Sequence, residues 1–181
     1  MASTFFSFPN PVNEKAARTV AVGVLTLAVI TIVLGTAVDN GWLWLTALLF
    51  AGFVGRVLTG PKLSLLGQLA TRVIAPRLGE PRMVAGPPKR FAQAIGFVVT
   101  GLATLFVALG LYGLAIVFLA MIVVAATLEG VFGYCIGCTI FGVLMRHGYI
   151  SEEICASCAD ISSRIGLDVT TRREASGTLT G

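Results

Sequence analysis

The chain has 181 residues, of which 56% are hydrophobic and 12% are charged, and its net charge is +4. Soluble domains carry about 25% charged residues, so this composition excludes an ordinary water-soluble domain. The length allows one compact unit. The charges lie in short stretches between long uncharged runs, which is typical of a membrane protein. No nucleic-acid motif is present, so no nucleic acid is expected as a partner.

Four apolar stretches are long enough, or nearly so, to cross a bilayer as helices, since about 20 residues span its core. They cover approximately residues 19–38, 41–58, 91–111 and 112–132. The first stretch is longer than the apolar core of a cleaved signal peptide. The links between the first and second stretches, and between the third and fourth, are tight. The sequence therefore predicts an all-α, polytopic membrane protein of four transmembrane helices, built as two helical hairpins.

The remaining segments are polar or basic. Residues 62–74 show apolar side chains at helical spacing and predict a short amphipathic helix at the cytoplasmic membrane interface. A second short helix is predicted to begin at Ser151, and the last ten residues are predicted to be disordered. The predicted organisation is an N-terminal segment 1–18, a first hairpin 19–58, a basic loop 59–90, a second hairpin 91–134, a cysteine-bearing region 135–171 and a tail 172–181.

The basic residues predict the orientation of the chain. With four spans, every Lys and Arg falls on the same side, and the two hairpin turns contain none. Because Lys and Arg are enriched in cytoplasmic loops, both termini and the central loop are expected in the cytoplasm.

The two hairpins resemble each other in sequence. The segment from Pro11 to Arg18 leads into the first hairpin much as the segment from Pro87 to Arg90 leads into the second, at an offset of about 76 to 78 residues. Two crossings per half give a parallel repeat, a device known in transporters. Generic apolar hairpins that look alike are the alternative.

All four cysteines occur in two C-x-x-C pairs, Cys135 with Cys138 and Cys155 with Cys158, and 16 residues separate the pairs. Two such pairs can supply four thiolates to zinc or to an iron–sulfur centre. Alternatively, one or both pairs are redox dithiols, because a C-x-x-C closes a disulfide reversibly. The cytoplasmic placement argues against structural disulfides. Inert buried cysteine explains single residues better than matched pairs.

Three further residues are candidates for function. Glu129 is the only charged residue in the fourth span, and an ionisable group in a membrane helix is a functional candidate by default. It can also reach the headgroups or pair with Arg56. His147, the only histidine, is either a metal ligand or a solvated interfacial residue.

Three segments together resemble an uncharacterised bacterial membrane protein family, domain of unknown function 4395. They are the Pro-Lys-Arg-Phe approach to the third span, the Phe-Gly-Tyr-Cys-Ile-Gly-Cys exit from the fourth, and the Glu-Glu-Ile-Cys-Ala-Ser-Cys tail. The resemblance covers residues 12–158, and its most distinctive part is the C-x-G-C element. It implies a small bacterial inner-membrane protein of actinobacterial type, sometimes associated with thioredoxin-like proteins or sulfurtransferases. It assigns no catalytic residue.

The leading hypothesis is a membrane protein that relays thiol redox equivalents or sulfur to a soluble partner through Cys135 and Cys138. A scaffolding protein whose four cysteines bind zinc is the first alternative, and a small transporter of a sulfur species is the second. The expected partners are the lipid bilayer, a thioredoxin-like or sulfurtransferase protein, and a second copy of the chain. A stand-alone enzyme is not expected, since no Ser/His/Asp set, phosphate loop or carboxylate pair is present.

Overall fold

The structure is a computed structural model that describes residues 12–60, 64–79, 83–84 and 86–148. Its longer elements are α1 (Glu14–Ala37), a 3-10 helix (Asn40–Trp44) continued by α2 (Leu45–Thr59), α4 (Gly86–Ala108), α5 (Tyr112–Gly130) and α6 (Ile136–Arg146). Between α2 and α4 lie α3 (Leu65–Leu69), a π-helical turn (Ala70–Ile74) and a 3-10 turn (Ala75–Leu78). The short strands β1 (Val12–Asn13) and β2 (Met83–Val84) pair antiparallel.

Among the described residues, four helical segments are long and apolar enough to cross a membrane, namely Glu14–Ala37, Asn40–Thr59, Gly86–Ala108 and Tyr112–Gly130. The prediction of four transmembrane helices in two hairpins is confirmed, and the chain is an all-α multi-pass membrane protein. The first and third helices begin earlier than predicted. Asn13 caps α1 by accepting a hydrogen bond from the Lys15 amide, and two prolines occupy the first turn of α4. Lys15, Arg18 and Lys89 therefore lie inside helices.

Helix packing relates the two hairpins. α1 packs on α5 and α2 packs on α4, and α4 also packs along α5 within its own hairpin, whereas α1 and α2 contact each other less. The first two contacts pair the first helix of each hairpin with the second helix of the other, whereas the contacts within the two hairpins are unequal. The parallel repeat stays a prediction. Glycines permit the close approach: Gly35 faces the Leu43 side chain, and Gly96 faces the Phe53 ring.

Threonine hydroxyls inside the apolar helices are satisfied locally. Buried threonine hydroxyls donate to carbonyls three or four residues earlier in the same helix, as Thr31 does to Leu27 and Thr100 to Gly96, both at 2.7 Å. Such bonds leave no hydroxyl unpaired in an environment without water. The outward faces of the same helices are apolar: Val22, Val33 and other large side chains are exposed for contact with lipid.

The segment after α2 differs from the predicted amphipathic helix. Residues 62 and 63 lie outside the described residues, and the α-helical part is only Leu65–Leu69. Leu66 packs near Gly23 of α1, and Ala70 is buried, whereas Leu69 and Val73 are exposed. The apolar side chains therefore do not form the single stripe that was predicted. Some of them pack on α1, and others lie exposed on the opposite side of the segment.

The chain divides into two compact units, residues 1–141 and 142–181. The described part of the second unit is residues 142–148, which complete α6 and a short turn. Within it, the His147 amide donates to the Val143 carbonyl at 3.1 Å, and the His147 side chain is exposed. The predicted helix at Ser151 and the disordered tail lie outside the described residues.

Candidate functional site

An ion pair joins the second hairpin near the end at which α4 begins and α5 ends. Lys89 Nζ of α4 lies 2.7 Å from Glu129 Oε1 of α5, and their side chains are 10% and 24% exposed. Sequence reasoning singled out Glu129 and missed Lys89. The sequence contains the information needed to predict this contact. Lys89 and Glu129 are separated from the Gly110 turn by nearly equal numbers of residues, and an antiparallel hairpin brings such residues together.

Arg56 of α2 adds a second cation to this region. It is only 3% exposed, its Nε donates to the Gly52 carbonyl at 3.1 Å, and its guanidinium carbon lies 4.1 Å from the centre of the Phe53 ring. The charge of Glu129 acts on Arg56 electrostatically. Lys89 makes the direct contact with Glu129, and the suggested pairing of Arg56 with Glu129 stays a prediction.

The first cysteine pair lies where α6 begins. Cys135 immediately precedes the helix, Cys138 lies in its first turn, and a disulfide joins the two. The Cys138 amide donates to Cys135 Sγ at 3.3 Å, so this sulfur receives one of the free N–H groups of the helix N-terminus. Such a position favours the thiolate form of a cysteine when the disulfide is reduced.

Arg18 of α1 holds the turn that leads to the cysteines. Its guanidinium donates to the Gly130 and Val131 carbonyls at the end of α5, the latter at 2.9 Å. Gly133 has a positive φ of 71°, which a side chain adopts with strain. Arg18 was predicted only as a charge that sets orientation. Its contact with residues more than a hundred positions away could not be found in the local pattern.

A large cavity lies within residues 1–141, beside the ion pair and the first cysteine pair. Its volume is about 680 Å³, and its walls are mostly aliphatic side chains of α1, α4 and α5 together with the Phe53 ring. The polar groups that reach it are Arg56, Lys89, Gln93, Glu129 and Cys135. Gln93 Oε1 is buried and has no hydrogen-bond partner among the described residues. An apolar enclosure with a few convergent polar groups is the usual form of a small-molecule site.

A second, shallower cavity of about 400 Å³ lies against both cysteines. Its other lining residues come from the start of α1, from β2, from the start of α4 and from the turn before α6. Cys135 and Lys89 line both cavities. Cys135 therefore borders both the larger apolar cavity and the shallower one.

The predicted four-cysteine zinc site is untested, because Cys155 and Cys158 lie outside the described residues. Within the part of the chain that the structure does describe, no group of three or more His, Cys, Asp or Glu residues is placed to hold a metal ion. The zinc site and a ligand role for His147 stay predictions. So do a second copy of the chain as partner and the transport of a sulfur species.

The fold and this site define the chain as a multi-pass membrane protein with a C-x-x-C pair at one end of its helices. Residues 12–146 match the model of a family described as a domain of unknown function (DUF4395), and the chain belongs to that family. The resemblance noted in the sequence is thereby confirmed at the family level. No curated protein and no solved structure matches the chain.

Proposed function

We propose that this protein exchanges thiol redox equivalents with a soluble partner through Cys135 and Cys138. The observation that carries the proposal is the placement of the pair at the N-terminus of α6, where Cys135 Sγ accepts a hydrogen bond from the Cys138 amide and both cysteines line a shallow cavity. A buried structural disulfide needs neither feature. A partner that attacks a disulfide needs access, and the sulfur that leaves or attacks needs a stabilised thiolate.

The exchange runs through a mixed disulfide. A thiolate of the partner attacks Cys135 Sγ, the bond to Cys138 breaks, and Cys138 leaves as a thiolate that takes a proton. The second thiol of the partner then attacks the partner's own sulfur, and Cys135 leaves as a thiolate. The partner loses two electrons and forms a disulfide, while the pair gains two electrons. Stabilisation of the Cys135 thiolate by the start of α6 favours the last step.

Reduced thioredoxin is a suitable soluble probe. The full-length protein in detergent micelles is mixed with it, and free thiols are then alkylated and located by mass spectrometry. We expect newly alkylated Cys135 and Cys138 and an equal amount of oxidised thioredoxin. A thioredoxin variant that keeps only its attacking cysteine should instead accumulate a mixed disulfide with Cys135, because the second thiol of the partner that normally resolves it is missing.

Matched variants separate the two pairs. Cys155→Ser/Cys158→Ser should exchange at the wild-type rate, whereas Cys135→Ser/Cys138→Ser should not exchange. The proposal is abandoned if the first variant loses exchange and the second keeps it, or if the wild-type disulfide stays intact with reduced thioredoxin in excess.

We also propose that the cysteine pair faces the cytoplasm of a bacterial plasma membrane. The support is the excess of Lys and Arg at this end of the helices, which marks cytoplasmic segments. A membrane-impermeant maleimide should label a Cys138→Ser variant at Cys135 in inverted vesicles and leave it unlabelled in intact cells. Labelling in intact cells alone would reverse the orientation.

A further inference from the structure

The cavity of about 680 Å³ has a polar end and an apolar end. Arg56, Lys89, Gln93 and Glu129 mark the polar end, and Cys135 lines the same space. Along α5 the lining extends from Glu129 back to Val117, a distance of about 18 Å at the rise of an α-helix. The remaining walls are almost entirely aliphatic. A ligand that fills this space has a compact polar head and a hydrocarbon tail.

The cavity opens sideways, within the membrane-spanning part of the fold. Val117, Met121 and Val124 line it and are also 54%, 52% and 58% exposed. They recur along one face of α5 at helical spacing, so they form a rim that contacts lipid. A ligand dissolved in the bilayer can therefore enter without passing through water.

The polar end offers hydrogen-bond donors to a head with carbonyl oxygens. Arg56 and Lys89 supply N–H donors, and the buried Gln93 amide has an oxygen without a partner among the described residues. That oxygen can accept from a hydroxyl, and the amide, once rotated, can donate to a carbonyl. The polar end thus offers hydrogen-bond donors to the carbonyl oxygens of an oxidised head group and a hydrogen-bond acceptor to the hydroxyls of a reduced head group. Hydrosulfide, the smallest sulfur species, would leave a cavity of this size mostly empty.

We propose that the cavity binds a lipid-soluble quinone, which takes electrons from the reduced Cys135–Cys138 pair. The inference rests on the proposed thiol exchange and names the second substrate of the same site. Two S–H bonds break and the disulfide forms, so the pair loses two electrons and two protons. The two carbonyl oxygens of the quinone gain them, and a quinol leaves through the rim on α5. Electrons thereby pass from a soluble dithiol to the membrane.

The test uses the full-length Cys155→Ser/Cys158→Ser protein in nanodiscs of phosphatidylcholine and phosphatidylglycerol that contain no quinone. The pair is reduced, the reductant is removed without air, and decylubiquinone is added. Quinone absorbance and alkylated thiols are followed together. We expect one quinone to be reduced for each disulfide formed. With Cys135→Ser, quinone should bind and stay oxidised.

Two neighbouring valines provide a matched control for the cavity. Val99 lines it, whereas Val98 is 53% exposed and does not. Val99→Phe should weaken quinone binding by about tenfold or more, as loss of the space for several ring contacts implies, and Val98→Phe should not. Gln93→Leu should also slow quinone reduction. Exchange with thioredoxin should be unchanged in all three variants. That result would show that the variants fold.

The outcomes are distinguishable. If reduced thioredoxin opens the disulfide but decylubiquinone neither binds nor oxidises the pair, the proposed function stands and the quinone site is rejected. Equal effects of Val98→Phe and Val99→Phe also reject the site. If palmitate displaces decylubiquinone at equal concentration, or if decylubiquinone binds more tightly in nanodiscs of phosphatidylcholine alone, the cavity is an anionic lipid site. If thioredoxin exchange itself fails, both proposals fall.

Discussion

The two ends of the helical bundle are built differently. At the turn end, residues 38–44 and 109–112 connect the helices through local contacts: the Asp39 side chain accepts from the Gly41 amide at 2.7 Å, and the Leu111 amide donates to the Phe106 carbonyl at 2.8 Å. At the cysteine end, where α1 and α4 begin and α2 and α5 end, local contacts are joined by polar contacts between distant segments, as those of Lys89 with Glu129 and of Arg18 with Gly130.

The difference favours the cysteine end as the place of the proposed chemistry. The backbone N–H and C=O groups of a hairpin turn in a membrane protein need hydrogen-bond partners, and neighbouring residues supply them. Buried charges cost free energy unless they are paired, so their presence at the cysteine end calls for a function beyond closure of the chain. The following predictions test this contrast, from the largest expected effect to the smallest.

The largest loss of stability is expected when the Glu129 carboxylate at the cysteine end is removed. Glu129→Leu leaves the Lys89 ammonium and the Arg56 guanidinium without their anion, at an expected loss of about 3–5 kcal/mol in the free energy of unfolding. Unfolding in mixed detergent micelles, followed by circular dichroism, measures it. The double variant Glu129→Leu/Lys89→Met should recover part of the loss, because the directly paired charges are removed together. Strictly additive losses would show that the pair is not coupled.

Close packing near the turn end should give the next largest effect. An added methyl group at Gly35 meets the Leu43 side chain, so Gly35→Ala should cost about 1–3 kcal/mol of unfolding free energy. Gly113 is the control, since nothing lies within 4 Å of a Cβ built there. Gly113→Ala should be neutral or slightly stabilising in the same unfolding assay. A similar loss in both variants would contradict the packing of α1 on the 3-10 helix.

The capping role of Arg18 is a third test of the contrast. Arg18→Met removes charge-assisted hydrogen bonds to the end of α5, at an expected cost of about 1–2 kcal/mol. Hydrogen exchange should become faster in residues 130–135, which precede α6. Arg72→Met changes an exposed arginine and should leave that exchange unchanged. Unaltered exchange in Arg18→Met would mean that the turn is held by other contacts.

Loss of a local helix cap should cost about the same stability at both ends of the helical bundle. Asn13 accepts from the Lys15 amide at the cysteine end, and Asp39 accepts from the Gly41 amide at the turn end. Asn13→Ala and Asp39→Ala should each cost about 1 kcal/mol by thermal unfolding. A much larger effect at Asn13 would indicate that β1 and its cap are coupled to the ion pair at the same end.

Hydropathy and length were sufficient to predict the membrane helices, because the bilayer imposes both on any spanning segment. The ends of the helices were placed less well. Asn13 and the prolines before Lys89 set the starts of α1 and α4 by capping, so the helices include basic residues that hydropathy assigns to loops.

The site was only partly predictable. The C-x-x-C spacing and the lone Glu129 pointed to two of its parts, because both are unusual in a membrane helix or beside one. The ion pair with Lys89, the cap by Arg18 and the cavity all depend on which helices pack together. That packing arises from contacts between α1 and α5 and between α2 and α4, which no local pattern encodes.

The reduction potential of the Cys135–Cys138 pair tests the central claim most directly. The Cys155→Ser/Cys158→Ser protein is equilibrated with mixtures of reduced and oxidised dithiothreitol or glutathione, and alkylated thiols are counted at each ratio. A pair that exchanges electrons with soluble proteins should be half reduced between about −270 and −120 mV. A midpoint below about −300 mV is typical of a structural disulfide and would contradict the account.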